Sequence, residues 1–541
     1  MRKSVYYLLV LMIGFFFLFY ISNRADKLSM THDESSTTNV VDGTYNDIMF
    51  AKNMFGTANN HILNSLLLKK SVALFGWQEW SVRLPNVLCF IVYFIAGMLL
   101  IQGISQNNFI RLAGVILFCT PHFIVDYFSL ARGYGIAVAF EMMDLYFVIK
   151  YLQQRKAKHL ALSFIMSALA VYANFTWLNM LLAQWAVVNI VLLLEKKEQP
   201  FAKLAVNIVR INLIPILTAI VLVLLIYKPI GYLSGNNEFK WGSETWWASF
   251  QSFIVNLHYT HSSFIVDYDS RLLLLKLFVL ALVIAGSTLF VQHLFFNRWK
   301  QVDSFSKYSL FTAVLILFVL TASTILQRHL LNTFYIDGRK ALLYMPVLLL
   351  LVVALFNWLY TKYALLAKVF LSTTVAAAVF HFIGIFNFYS CFEWWYDASS
   401  KMAYQSIGND KSDLPKTTAV NWLYWQSMEF YNKRMYKNNI PLLKKTNELT
   451  DYDGINYVYV LGDEIRNIPP VFKPVKRYMW DRFLLKRDQQ AYDADLKTQT
   501  QYQHSIESTK QLPIEELRKR ADSVLLQQRK ELNWSLLLLS E

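Results

Sequence analysis

A chain of 541 residues that is 55% hydrophobic and only 16% charged, with a mean hydropathy of +0.32, is too apolar for an ordinary soluble protein and lies mostly in a membrane. Its formal net charge of +15 does not point to a nucleic-acid partner, because the excess is local: residues 1–389 carry 30 basic against 17 acidic side chains, and residues 390–541 carry 22 against 20. The surplus belongs to the membrane region, where basic short loops report orientation among membrane lipids.

The chain opens on Met1-Arg2-Lys3 and the apolar run from Tyr6 to Ile21. This resembles a signal peptide but stays bulky to its end without a small-residue cleavage site, so it reads as a retained first helix. Runs long enough to span a bilayer, about twenty residues each, follow near 86–104, 110–126, 133–152, 159–174, 177–194, 204–227, 272–295, 307–326, 340–360 and 365–388. With the first run at 5–22 that makes eleven expected helices, the pair at 159–194 being separated only by Tyr172-Ala173-Asn174-Phe175-Thr176. In this count Arg2-Lys3, Arg111, Arg155-Lys156-Lys158, Lys196-Lys197-Lys203, Arg298-Lys300-Lys307 and Lys362-Lys368 share one side, which the positive-inside rule makes cytoplasmic. The loops 23–85, 228–271 and 327–339 and everything after about 389 then lie on the opposite face. Three cysteines, with Cys89 and Cys119 inside apolar runs and Cys391 alone, leave no disulfide framework and no paired-cysteine metal knuckle.

The expected fold class is therefore an all-α polytopic membrane protein with a small C-terminal extracytoplasmic α/β domain. Residues 1–389 form the transmembrane domain, including the extracytoplasmic loop 23–85, and residues 390–541 the soluble one. In the latter, Thr417 to Trp422 and Asn456 to Leu461 read as strands, Trp425 to Tyr436 as a helix between them, and Pro513 to Lys530 as a helical tail.

The loop 23–85 holds Thr31-His32-Asp33-Glu34, two adjacent carboxylates a dozen residues beyond the first helix. Partial desolvation near a membrane surface raises a carboxylate pKa toward that of a usable base; the plainer alternative is that Thr31 or Asp33 caps a short helix. Tyr45 to Phe55 and His61 to Phe75 read as amphipathic helices, the second ending at Gly76. In order follow His61-Ile62-Leu63-Asn64, Leu74-Phe75-Gly76, Val82-Arg83-Leu84-Pro85, Ser129-Leu130-Ala131-Arg132-Gly133-Tyr134-Gly135 and Gly338-Arg339-Lys340-Ala341-Leu342-Leu343-Tyr344-Met345-Pro346.

This order resembles the GT-C superfamily of polytopic glycosyltransferases, which includes protein O-mannosyltransferases and the transferases that place aminoarabinose on lipid A. The resemblance covers roughly residues 1–390. The chain departs from the family where Asn59-Asn60-His61-Ile62 replaces the commoner His-Pro-Pro-Leu and where Lys340 stands in place of an aromatic. It implies an inverting glycosyltransferase of the inner membrane that moves a sugar from a polyprenyl-phosphate donor to a lipid, glycan or protein hydroxyl. The implied catalytic residues are Asp33, as general base, and Glu34. The implied donor-binding residues are His61, Arg132, Tyr134, Arg339 and Lys340, the arginines suited to phosphate by their planar, permanently charged forks. The resemblance requires no particular cofactor and leaves a divalent cation open.

Further residues carry chemistry in their own right. Asp126 ends the third helix on the outer face as a candidate second acid, and His258, His261 and Asp267 include a His-x-x-His pair that could hold a metal or simply belong to a surface hairpin or acceptor loop. Glu141 and Asp144, three apart on one helical face, sit at membrane depth, where acids are functional or paired. They are the one feature favouring the alternative reading, a polytopic transporter or flippase for a lipid-linked or small polar substrate.

Overall fold

The computed structural model describes residues 2–50, 59–196, 199–236, 238, 241–259, 268–296, 304–449 and 452–488, with scattered positions to 501. His261, Asp267, the second half of the helix expected over Tyr45–Phe55 and the helical tail at 513–530 lie outside the described residues. In chain order the helices are α1 (Lys3–Lys27), α2 (His32–Val41), α3 (Tyr45–Met49), α4 (Ile62–Phe75), α5 (Glu79–Ile104), α6 (Asn108–Cys119), α7 (His122–Phe128), α8 (Gly133–Gln154), α9 (Ala157–Ala173), α10 (Leu178–Lys196), α11 (Phe201–Gly235), α12 (Trp246–His258), α13 (Tyr268–Phe296), α14 (Ser304–Leu331), α15 (Tyr344–Lys362), α16 (Ala364–Ile385), α17 (Ser400–Gly408) and α18 (Trp422–Phe430).

Every one of the eleven expected apolar runs is helical, though not all as one straight span. Among the described residues eight helices are long and apolar enough to cross a membrane, or nine if the bent pair α6 and α7 is one span. That pair bends by 63° at Thr120-Pro121, where proline removes a backbone donor. Of the remaining two, α8 carries Glu141, Asp144 and Lys150 along its length, and α9 has only 17 residues. The spanning helices are sided: α1 buries Tyr6, Val10, Phe17, Tyr20 and Ile21 against its neighbours and leaves Leu8, Phe15 and Phe19 exposed. Apolar side chains turned outward are stable only against lipid, and the chain is a multi-pass membrane protein.

The chain divides into two compact units. The first comprises residues 1–404 and 423–439; the second comprises 405–422 and 440 onward. In the second, strands β1 (Thr417–Val420), β2 (Leu442–Lys445), β3 (Tyr457–Leu461), β4 (Phe472–Tyr478) and β5 (Arg482–Arg487) form one sheet in the order β2-β1-β3-β5-β4. β1 pairs in parallel with both β2 and β3, and β5 runs antiparallel to β3 and β4. Ala419, Val458, Val460, Phe472 and Leu485 fill the sheet's core. Two of these strands match the expected runs; the other three carry Lys and Arg at alternate or successive positions, which hides their period.

In the first unit, two glycines let backbones approach where the loop motifs converge. A Cβ on Gly133 would stand 2.0 Å from the Ala173 carbonyl oxygen and 2.7 Å from the Cβ of His61, and one on Gly135 would stand 2.3 Å from the Tyr127 carbonyl oxygen. The N-terminus of α8, the end of α9 and the start of α4 can therefore meet only at glycine. Gly133→Ala is expected to destabilise the protein by about 1–3 kcal/mol through overpacking, read as a lower melting temperature in detergent. Gly231→Ala, whose Cβ would meet nothing within 4 Å, should leave the melt unchanged.

Candidate active site

The site begins with the start of α2. Thr31 caps the helix: its hydroxyl accepts from the Glu34 N–H at 3.3 Å, and the Glu34 carboxylate accepts from the Thr31 N–H at 3.0 Å. This reciprocal cap fixes the first turn and sends Asp33 and Glu34 to different partners. Glu34, fully buried, receives a two-pronged contact from Arg83, with Nε donating to Oε1 at 2.8 Å and Nη2 to Oε2 at 2.7 Å. The Ala131 N–H donates to Oε1 at 2.6 Å. Burial raises the Glu34 pKa, but Arg83 outweighs it and holds the carboxyl below its ordinary value. The same guanidinium donates to the carbonyls of Ala25, Leu28 and Ser29 at the end of α1. With both oxygens engaged, Glu34 holds the loop.

Asp33 faces a different set. Arg339 Nη1 donates to its Oδ2 at 2.7 Å, Arg132 Nη2 lies 3.5 Å from the same oxygen, and Asn59 Nδ2 donates to Oδ1 at 3.5 Å. Arg132 also donates to the Asp33 carbonyl at 3.2 Å and to the Thr37 hydroxyl at 3.1 Å, and Arg339 Nη2 donates to Asn59 Oδ1 at 2.8 Å. Both guanidinium groups lie over the ring of Trp394, at 5.0 Å for Arg339 and 5.9 Å for Arg132. Glu393, one-third exposed, stands 3.6 Å from Arg339. The expectation that burial lifts the Asp33 pKa is corrected: burial does raise it, but Arg339 and then Arg132 outweigh burial, and the carboxyl sits below its ordinary value.

Beside this cluster lies a cavity of about 800 Å³, to which Asn59, His61, Tyr134, Arg339, Lys340 and Glu393 all contribute. Asp33 stands one layer behind, its carboxylate held by the wall residues Arg339 and Asn59. Lys340 donates to the Trp241 carbonyl at 2.7 Å. His61 is buried edge-on to Tyr134, with ring centroids 5.0 Å apart, and burial, then Arg132 and Arg339, drive its pKa well below the ordinary value, so the ring is neutral. Tyr134 in turn lies edge-on to Trp177, whose indole N–H donates to Glu141 at 2.7 Å. Asp144 accepts from Ser163 at 2.6 Å, and Ser163 is bonded by Gln184. These bonds join α8 to α9, α10 and the turn between them, and leave Glu141 Oε1 and Asp144 Oδ2 without a partner among the described residues.

The structure brings together Asp33, Arg132 and Arg339, and lines one cavity with His61, Tyr134, Arg339 and Lys340. It sets Asp126 apart: that carboxylate pairs with Arg24 and Tyr259 and accepts from the Phe392 N–H at 3.2 Å. His258 faces His381, with ring centroids 5.7 Å apart, and among the described residues no group of three or more metal-binding side chains gathers. Glu393 and Trp394 are not singled out by any sequence motif. Their signal was the run Cys391-Phe392-Glu393-Trp394-Trp395-Tyr396-Asp397 directly after the last apolar segment, acid and aromatic where a plain linker would be polar.

The buried Arg83–Glu34 pair generates a direct test. Arg83→Ala leaves a buried carboxylate without its cation and is expected to cost about 3–5 kcal/mol, measured as loss of the folded, monodisperse protein on heating. Glu34→Gln, which sets an N–H₂ against donors and leaves the buried Arg83 charge unpaired, is expected to cost a similar amount.

No family model and no curated protein matches the chain. Among solved structures it is similar to ArnT from Cupriavidus metallidurans bound to undecaprenyl phosphate, at 11% identity and a TM-score of 0.48, over 90% of this chain and 98% of that one. It is similar to the archaeal oligosaccharyltransferase AglB from Archaeoglobus fulgidus in complex with an inhibitory peptide and a dolichol-phosphate, at 10% identity and a TM-score of 0.47, over 86% of this chain and 70% of that one. A third is the arabinosyltransferase EmbB from Mycobacterium smegmatis, at 10% identity and a TM-score of 0.31, over 72% of this chain and 42% of that one.

Proposed function

We propose that the protein is an inverting GT-C glycosyltransferase that moves a sugar from a polyprenyl-phosphate donor to a hydroxyl of a lipid, glycan or protein at the outer face of the inner membrane. The observation that carries this reading is the Asp33–Arg339–Arg132 cluster, whose Arg339 lines a cavity of about 800 Å³. The alternative, a transporter or flippase, rests on Glu141 and Asp144, which are bonded through one oxygen each to Trp177 and Ser163.

In this mechanism the donor phosphate enters beside Arg339 and Lys340 and competes with Asp33 for the Arg339 guanidinium. Once that ion pair loosens, the burial that the arginines now outweigh raises the proton affinity of Asp33, and the carboxylate becomes a base. Asp33 takes the proton of the acceptor hydroxyl as its oxygen attacks the anomeric carbon. The carbon–oxygen bond to the phosphate breaks with its electron pair moving to the phosphate, and Arg339, Arg132 and Lys340 hold the added charge. Attack opposite the leaving phosphate inverts the anomeric configuration. Phosphate is a good leaving group, so little acid assistance is needed, and a divalent cation stays open as a further holder of its charge.

Asp33→Asn keeps the shape of the site but removes the base. Turnover should fall about 10²–10⁴-fold while a polyprenyl phosphate still binds. Arg339→Ala should weaken use of the donor more than of the acceptor, by about ten- to a hundredfold for one charge-assisted contact; kinetics with varied donor decide this, and an unchanged donor dependence would reassign Arg339 to anchoring. The outer-face orientation is checked separately with alkaline phosphatase fused after Lys401, expected to be active, with a cytoplasmic reporter at the same point expected to be silent.

A further inference from the structure

The cavity beside the cluster is not a simple cationic site. Among the described residues that line it, Arg339 and Lys340 are cations, but Glu238, Asp337 and Glu393 are carboxylates. One layer behind, Arg132 and Asp33 offset each other. Two cations against three carboxylates suit an anion of one charge and resist a second. Glu393 is the wall carboxylate that pairs with Arg339, its Oε1 standing 3.6 Å from Nη1 with the side chain one-third exposed. Its backbone cannot carry it away. The Phe392 N–H before it donates to Asp126 at 3.2 Å and to the Tyr259 hydroxyl at 3.0 Å, and Trp394 after it is buried beneath Arg339 and Arg132. Burial lifts the Glu393 pKa, Arg339 lowers it, and Asp33 and Asp337 add to the rise; the net direction is upward, so Arg339 does not fully offset burial and the neighbouring carboxylates.

Sugar transfer changes the charge of the lipid phosphate. A polyprenyl-phosphate sugar is a phosphodiester with one negative charge, whereas the polyprenyl phosphate left behind is a monoester, which carries close to two above a second pKa of about 6. Resting on the glycosyltransferase reading above, we propose that Glu393 is a specificity-determining residue that tells these two lipids apart: it tolerates the singly charged diester beside Arg339 and repels the doubly charged monoester, so that the charge made in the reaction expels the product. No bond forms to Glu393 and no proton passes through it. The arginines hold charge as it develops in the transition state, where only part of the second charge has arrived; Glu393 acts most strongly on the whole of it.

The test uses the full-length protein purified in detergent at pH 8 and two probes that differ by one charge, undecaprenyl phosphate and its methyl diester. The wild type is expected to bind the diester more tightly than the monoester, the reverse of what two cations without these carboxylates would do. Glu393→Gln keeps the size of the side chain and removes its charge, and the melt should hold. It should tighten the monoester by about tenfold and the diester by only about threefold, the order expected when one like charge is removed from beside two charges or one in a partly solvated site. Glu393→Asp, which restores the charge, should restore the wild-type ranking. A wild-type preference for the monoester, or an equal change for both lipids in Glu393→Gln, overturns the assignment; the first comparison needs no variant to fold. If neither lipid binds the wild type, the underlying glycosyltransferase reading falls with it, an outcome distinct from both lipids binding in a ratio that Glu393 does not alter.

Discussion

The arrangement depends on one buried ion pair, Arg83 with Glu34. Both side chains are out of solvent, and a charge there is tolerable only when paired and fully hydrogen-bonded. The pair meets that condition by collecting other groups: three carbonyls at the end of α1, the N–H of Ala131 and the N–H of Thr31. It thereby ties together the exit of the first helix, the cap of α2, the start of α5 and the turn that carries Arg132. Asp33 and Arg132 face one another because their neighbours Glu34 and Ala131 are both tied into this ion pair.

On that frame the reactive cluster is a balance of charges. Arg339 and Arg132 share the Asp33 carboxylate and rest on Trp394, with Glu393 as a further partner for Arg339. Two cations over one ring thus face two carboxylates, Asp33 and Glu393, and in the proposed function a phosphate competes with them from the cavity. The ion pair holds the Asp33 carboxyl below its ordinary pKa, so in the proposed mechanism an anion that draws on the arginines would also switch on proton transfer.

Much of this is legible in the sequence. Hydropathy alone locates all eleven helical runs, because a bilayer demands long apolar segments whatever they pack against. Local chemistry marks the cap at Thr31 and the stop at Gly76, where φ is +75°. The order of motifs brings out Asp33, His61, Arg132, Tyr134, Arg339 and Lys340, since each falls at a helix end on one face. Tertiary structure alone decided the rest. It decided that Glu34 is spent on Arg83, that Asp126 belongs to Arg24, and that Asp33 is held below its ordinary pKa rather than above it. It also decided that Glu393, Trp394 and Asn174 share a cavity or a partner with residues more than a hundred positions away. The physical reason is that apolar length and helix capping act within a few residues along the chain, whereas which charge meets which is settled by packing between helices far apart in sequence.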